Sequence, residues 1–253
     1  MSGHSKWATT KHQKAAKDKV RGKLFAKLIR QVEVAAREGG GDISANATLR
    51  AMYDKAREAS VPLDTIERAI KRGTGELEGV TYESVTYEGY ASNGVAVIVE
   101  CLTDNRNRTT SEVKNVFTRN GGSLAEPGAV AWQFHRKGMI IVDKTSGVDE
   151  DELMMAALEA GAEDVADQGD TFDITTAPTD FTAVRDALAE AGVPMASADP
   201  TMVATTAVPL TTEAAARNVL RVLDALEDHD DVQNVYANFD IPDNVLQVVE
   251  AGA

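Results

Sequence analysis

Residues 73–79, GTGELEG, divide the chain into two stretches with different apolar periods, and that change limits the possible folds more than any other feature. Ahead of it, Phe25, Leu28, Ile29, Val32 and Ala36 recur at i, i+3, i+4, i+7 and i+11, which is one face of a helix. Glycines 39, 40 and 41 stop that helix, since glycine loses the most backbone entropy inside one. Leu49, Met52, Ala56 and Ala59 mark a second helix after Ser44, and Pro62 ends the connection behind it. Asp64, with Glu67 three residues on, reads as a capping box opening a third helix that holds Ile66 and Ile70 and stops at Gly73. Residues 1–75 are therefore expected to form an all-helical domain.

Beyond the glycine-rich break the pattern turns to short β-rich runs. Residues 85–90 and 95–102 read as strands. A helix opens at a Thr109–Glu112 capping box with Val113, Val116 and Phe117 inward, closes at Gly121 and Gly122, and is followed by a strand over 129–135. From 138 to 208 the order is strand (139–142), helix (150–160), strand (near Val165), strand (171–175), helix (180–191), strand (202–208), the βαββαβ order of a ferredoxin-like unit. A helix over 213–227, with Val219, Val222, Leu223 and Leu226 inward, and a strand over 234–239 then need a sheet to join, and the sheet begun at 85–135 is the host available. The expected fold class is α+β and multidomain. The basic helical domain takes 1–75, a discontinuous α+β domain takes 80–136 plus 209–242, and a ferredoxin-like domain over 137–208 is inserted in it.

The net charge of -14 conceals a split. Residues 1–30 hold nine Lys/Arg against Asp18, a balance of +8, so the other 223 residues carry -22. Because charges are screened within about 8 Å at physiological salt, a basic end can hold a polyanion while the acidic body stays off it. The candidate nucleic-acid-binding residues are Lys6, Lys11, His12, Lys14, Lys17, Lys19, Arg21, Lys23, Lys27 and Arg30. On a helical wheel Lys23, Lys27 and Arg30 fall opposite the apolar side, so the first helix is expected to pack with one face and present cations with the other. Arg68, Lys71 and Arg72 either extend the phosphate track or offset a helix dipole. Arg106 and Arg108, within 104–110, either offer forked donors to phosphates and base edges or pair with Asp104 and cap the next helix. An anionic membrane would need apolar residues exposed beside the lysines, whereas Phe25, Leu28, Ile29 and Val32 face a core.

Other chemistry is not advertised. The histidines at 4, 12, 135 and 229 show no metal-ligand spacing with each other or with Cys101, which reads as a buried small hydrophobe, so neither metal nor cofactor is expected. The Gly73-Thr74-Gly75 run lacks the lysine of a phosphate loop, and no nucleophile elbow or HExxH pair occurs. Asp149 and Glu152, which could be imagined as an acid/base pair, sit where a helix N-terminus is expected. No small-molecule substrate is evident. No apolar run is long enough to span a membrane, and MSGHSKW lacks the core of a secretory signal, so the expectation is a cytoplasmic, non-enzymatic protein.

The runs SGHSKWATTKHQKAAKDKVRGK, VPLDTIERAIKRGTGE, VTYEGYASNGVAVIVECLTDNRNRT, GAVAWQF and VQNVYANFDIP, taken in this order, resemble the YebC family of bacterial and organellar gene-expression regulators. The resemblance covers essentially the whole chain. It implies a helical N-terminal domain followed by two α+β domains, one inserted in the other. It also implies a DNA-binding transcriptional regulator or, as in organellar relatives, a ribosome-associated translational activator that contacts ribosomal RNA and assists proline-rich stretches. Lys6, Lys11, His12, Lys14, Lys17, Arg21 and Lys23 match the basic arm of the family, and Gln13 stands where a second basic residue is usual.

Overall fold

The computed structural model describes residues 18–251. They form two units: one holds Trp132–Ala207, and the other holds the chain on both sides of it, up to Ala131 and from Val208.

In the larger unit, three helices come first: α1 (Asp18–Gly39), α2 (Ala47–Glu58) and α3 (Leu63–Gly73). They enclose a core of Leu28, Val32, Ala35, Ala36, Leu49, Ala56, Ile66 and Ala69. Asn46 sets the entry to α2, its side-chain oxygen accepting from Leu49 N at 3.0 Å while its amide donates at 2.8 Å to the Ala35 and Gly40 carbonyls. At α3 the expected capping box is absent. Pro62 precedes the helix without a side-chain cap, and Asp64 lies inside the first turn. Gly73 passes so close to α1 that a Cβ there would lie 2.7 Å from Ala36 Cβ and collide with the Glu33 carbonyl oxygen, so the last turn of α3 accepts only glycine.

The same unit continues with β1 (Glu83–Tyr90), β2 (Ala96–Thr103), α4 (Arg106–Arg119) and β3 (Ser123–Leu124). After the second unit, which holds β4–β7, α5 and α6, the chain returns with β8 (Val208–Pro209), α7 (Glu213–Glu227), β9 (Val232–Ala237), β10 (Phe239–Asp240) and α8 (Asp243–Ala251). The sheet order is β3-β1-β2-β9, so β9 joins the earlier sheet beside β2, antiparallel to it. β8 and β10 form a separate parallel pair. α4 and α7 share one core with this sheet. α7 alone buries Ala216, Val219, Leu220, Val222, Leu223 and Leu226, each large side chain worth roughly 1.5–3 kcal/mol. Cys101 lies in that core, and burial pushes its thiol up to about 12, as suits an inert hydrophobe. α4 begins earlier than expected. Its cap is Asn105, which accepts from Arg108 N at 3.1 Å, and Thr109 is buried within the first turn.

The second unit runs β4 (Phe134–Asp143), α5 (Glu150–Glu159), β5 (Asp164–Asp167), β6 (Thr171–Thr176), α6 (Phe181–Glu190) and β7 (Ser197–Ala204). Its antiparallel order, β5-β6-β4-β7, is the ferredoxin-like arrangement. The strands expected over 129–135 and 139–142 are one continuous β4 preceded by a short 3-10 turn, and the last strand lies some residues earlier than 202–208. Asp149 caps α5 by accepting from Glu152 N at 3.1 Å, which accounts for that carboxylate without catalysis. Among the described residues, no helix is long and apolar enough to cross a membrane.

Candidate nucleic-acid interface

The cations of α1 at positions 23, 27 and 30 form one stripe, at i, i+4 and i+7. Sequence reasoning gave that stripe to solvent; the structure turns it against the end of α7. The last carbonyls of a helix have no partner within it and carry partial negative charge. Lys27 Nζ donates to Glu227 O at 2.7 Å, and Lys23 Nζ donates to Asp228 O at 2.9 Å and to Asp228 Oδ1 at 2.7 Å. Arg30 reaches furthest. Its guanidinium donates to Asp230 O at 2.7 Å and to Asp231 Oδ1 at 3.0 Å, and it lies 5.4 Å from the Tyr82 ring centroid.

Asp231 is the convergence point. It is 4% exposed, and its second carboxylate oxygen accepts from Arg108 at 2.8 Å and from the Thr109 hydroxyl at 2.7 Å. Burial opposes its ionisation, but those hydrogen bonds and the charges of Arg108 and Arg30 outweigh it and hold the carboxyl below the usual range. Its backbone carbonyl accepts from Leu102 N at 2.9 Å, tying the same residue to the end of β2. Arg108 therefore resolves in favour of pairing: it also bridges to Asp104 at 2.8 Å, and these carboxylates raise its pKa.

A cleft of about 650 Å³ opens beside this network, where Lys23, Arg30 and Arg108 meet Asp104, Glu112, Asp228, Asp230 and Asp231. Five carboxylates against three cations make it a poor seat for phosphate. Ligand atoms of Glu112, His229 and Asp231 come within 4.8 Å of one another, close enough to consider a cation. The donor set is already spent, however. His229 Nδ1 accepts from Asp231 N at 3.1 Å, so Nε2 carries the proton that it donates to Glu112 at 2.8 Å, and both Asp231 oxygens are taken. The cluster is a hydrogen-bond network.

The remaining expected site residues scatter. Lys6, Lys11, His12, Lys14 and Lys17 lie outside the described residues, and Lys19 and Arg21 fall within the backbone of α1. Arg68 is exposed on α3 and pairs at 3.5 Å with Asp64 one turn back, and Lys71 is exposed near the end of the same helix. Arg72 turns inward and donates from Nε at 2.8 Å to buried Glu33. Arg106 is exposed in the first turn of α4. Asp231, Thr109, Tyr82 and His229 were missed from sequence. The one available signal was the acidic run DHDD at 228–231, directly behind a long helix.

Comparison with known proteins bears on the whole chain. Residues 5–76 match the model of the TACO1/YebC N-terminal domain, and residues 82–239 match that of the TACO1/YebC second and third domain. The chain belongs to the TACO1/YebC family. A relative from Parafrankia sp., described as a probable transcriptional regulatory protein, is 57% identical over 252 residues, covering 99% of this chain and 100% of its own length. One from Kineococcus radiotolerans with the same description is 54% identical over 253 residues, covering 99% of each chain. The crystal structure of a conserved hypothetical protein from Aquifex aeolicus superposes with a TM-score of 0.81 at 48% identity, over 91% of this YebC-family chain and 94% of that one. The α+β architecture with a helical N-terminal region is thus shared with a solved relative.

Proposed function

We propose that this YebC-family chain is a non-enzymatic, nucleic-acid-binding regulator of gene expression, and that its polyanion contact is the leading segment ahead of Lys23. The observation that carries this reading is how the charges are neutralised. Lys23, Lys27 and Arg30 are satisfied by the end of α7 and the acidic residues behind it. In the sequence of the first 22 residues, Lys6, Lys11, Lys14, Lys17, Lys19 and Arg21 stand against one acid, Asp18. Like charges at that density repel one another, and a phosphate backbone relieves the repulsion while releasing counterions. Exposed Arg68, Lys71 and Arg106 are secondary contacts. The inserted unit opposes binding, with fifteen Asp/Glu against four Lys/Arg over 132–207.

Duplex DNA is the first target in this proposal. α2 and α3 are joined by residues 59–62 with Ser60 in the left-handed region (φ 63°), a turn as short as that of helix-turn-helix units, and α3 directs Glu67, Arg68 and Lys71 outward. The alternative is a ribosome-associated factor that uses the same segment on ribosomal RNA. The inserted ferredoxin-like sheet does not favour RNA. The strand face away from Ile140 and Val142 carries Asp143, Asp199 and buried Asp173, has no Phe, Tyr or Trp, and offers His135 as its one ring.

Sedimentation of the native protein through a sucrose gradient, with and without RNase, tests the choice. Free migration at physiological salt, together with retention of duplex DNA in filter binding, is the expected result. Co-migration with ribosomal particles that RNase abolishes would move the target to RNA.

A further inference from the structure

The inserted unit carries an acidic excess that disfavours phosphate, yet one of its helices also exposes large apolar side chains. α5 buries Leu153 and Ala157 against the sheet, as an amphipathic helix should. Its outer side is not wholly polar. Met154, Met155 and Leu158 stand 36%, 60% and 48% exposed, and at 100° per residue they follow one another around the side away from Leu153. A surface helix that has only its own core to cover places polar residues there; large apolar side chains grouped on its exposed side mark a second surface to meet.

The chemistry of that second surface follows from the rim. Glu150, Asp151 and Glu152 occupy the first turn of α5 and are exposed, and Glu159 closes the last turn. Three of the unit's four Lys/Arg pair with acids inside it, Lys137 with Glu163 at 2.6 Å, Lys144 with Asp167 at 2.6 Å and Arg185 with Asp186 at 2.7 Å. The patch is therefore apolar at its centre and anionic around it, within a unit whose excess of eleven acidic residues repels phosphate. Methionine suits such a place, because an unbranched thioether adapts to different side chains. We infer that the outer face of α5 docks a basic amphipathic segment of a protein partner. Its bulky apolar residues seat on Met154, Met155 and Leu158, and its lysines and arginines meet Glu150, Asp151, Glu152 and Glu159. At ten residues α5 is about 15 Å long, which matches two to three turns of a partner helix.

The test uses the full chain carrying 13C-methyl methionine and a synthetic Leu/Lys amphipathic peptide, with a scrambled peptide of the same composition as control. Saturable shifts of the Met154 and Met155 methyl signals, with Met139 and Met202 unmoved, are expected with the amphipathic peptide. Duplex DNA should leave both signals in place. M155E/L158E should weaken the peptide at least about tenfold, or about 1.4 kcal/mol, and E150K/D151K, which keeps the apolar seats, should weaken it too. Equal shifts with the scrambled peptide, shifts at other methionines, movement on dilution without peptide, movement with DNA, or indifference to both variants would each overturn the inference.

Discussion

Arg30 and Asp231 are 201 residues apart in sequence, and the guanidinium of the first donates at 3.0 Å to the buried carboxylate of the second. This pair, with Arg108 and Thr109 on the other carboxylate oxygen, joins α1, α4 and the segment behind α7 through one side chain. The cationic stripe of α1 is thereby a structural latch within the larger unit.

Removing the acceptor should expose that role. Asp231→Asn leaves two guanidinium groups facing a neutral amide, and because Arg108 is part-exposed on the cleft a loss of about 2 kcal/mol in denaturant-induced unfolding is expected, below that of a fully buried pair. Arg30→Met should cost less, since Arg108 and Thr109 still satisfy Asp231. In the double variant the two losses should fall short of additivity, because each single change breaks the same contact.

Acid sensitivity follows from two buried carboxylates. Glu88 is 7% exposed, and burial disfavours its charge, but the N–H groups of Gly128, Val130 and Ala131 donate to it at 2.6, 2.7 and 2.8 Å and hold its pKa below the usual value. Asp231 is lowered as well. For both groups the unfolded chain binds the proton more readily, so their stabilisation is complete above the ordinary carboxylate pKa and is lost as pH falls through the folded values. Glu88→Gln should be less stable than the parent by about 2 kcal/mol at neutral pH, and the gap should close in acid. Urea midpoints measured across that range read this directly.

Gly73→Ala tests the crossing of α3 over α1. The added methyl meets Ala36 Cβ and the Glu33 carbonyl, and a loss of about 1–3 kcal/mol is expected from the strain. Gly75→Ala, where no atom lies within 4 Å but φ is +83°, should cost only the left-handed backbone penalty of roughly 1 kcal/mol. Thermal unfolding of the two variants separates close packing from backbone conformation.

How far the sequence carried the fold depended on whether local pattern and tertiary partner agreed. Helix 213–227 was read to the residue, because its apolar period, its Thr212 cap and its acidic first turn all point the same way. β7 was misplaced because every one of its residues is at best partly buried and Pro200 interrupts it, so no alternation marks it. α8 was not foreseen: Val245, Leu246 and Val249 are too few to show a period. Thr109 looked like a cap because its hydroxyl and Glu112 have the right spacing, yet that hydroxyl is committed to Asp231 from 122 residues away. The stripe of Lys23, Lys27 and Arg30 was legible in the same way. Its destination was not, since a helix wheel shows which residues share a face and says nothing of what covers it.

Two variants separate the latch from the interface. One replaces Lys6, Lys11, Lys14 and Lys17 with Ala; the other replaces Lys23 and Lys27. The measurement is the affinity for duplex DNA as a function of salt, by fluorescence anisotropy. The first variant should bind weakly and lose about 0.9 in the slope of log K against log salt for each phosphate contact removed, while the second keeps both the parent affinity and the parent slope. If instead the second variant loses the slope and the first keeps it, the cations held at the end of α7 are the true contact, and the assignment of the leading segment fails.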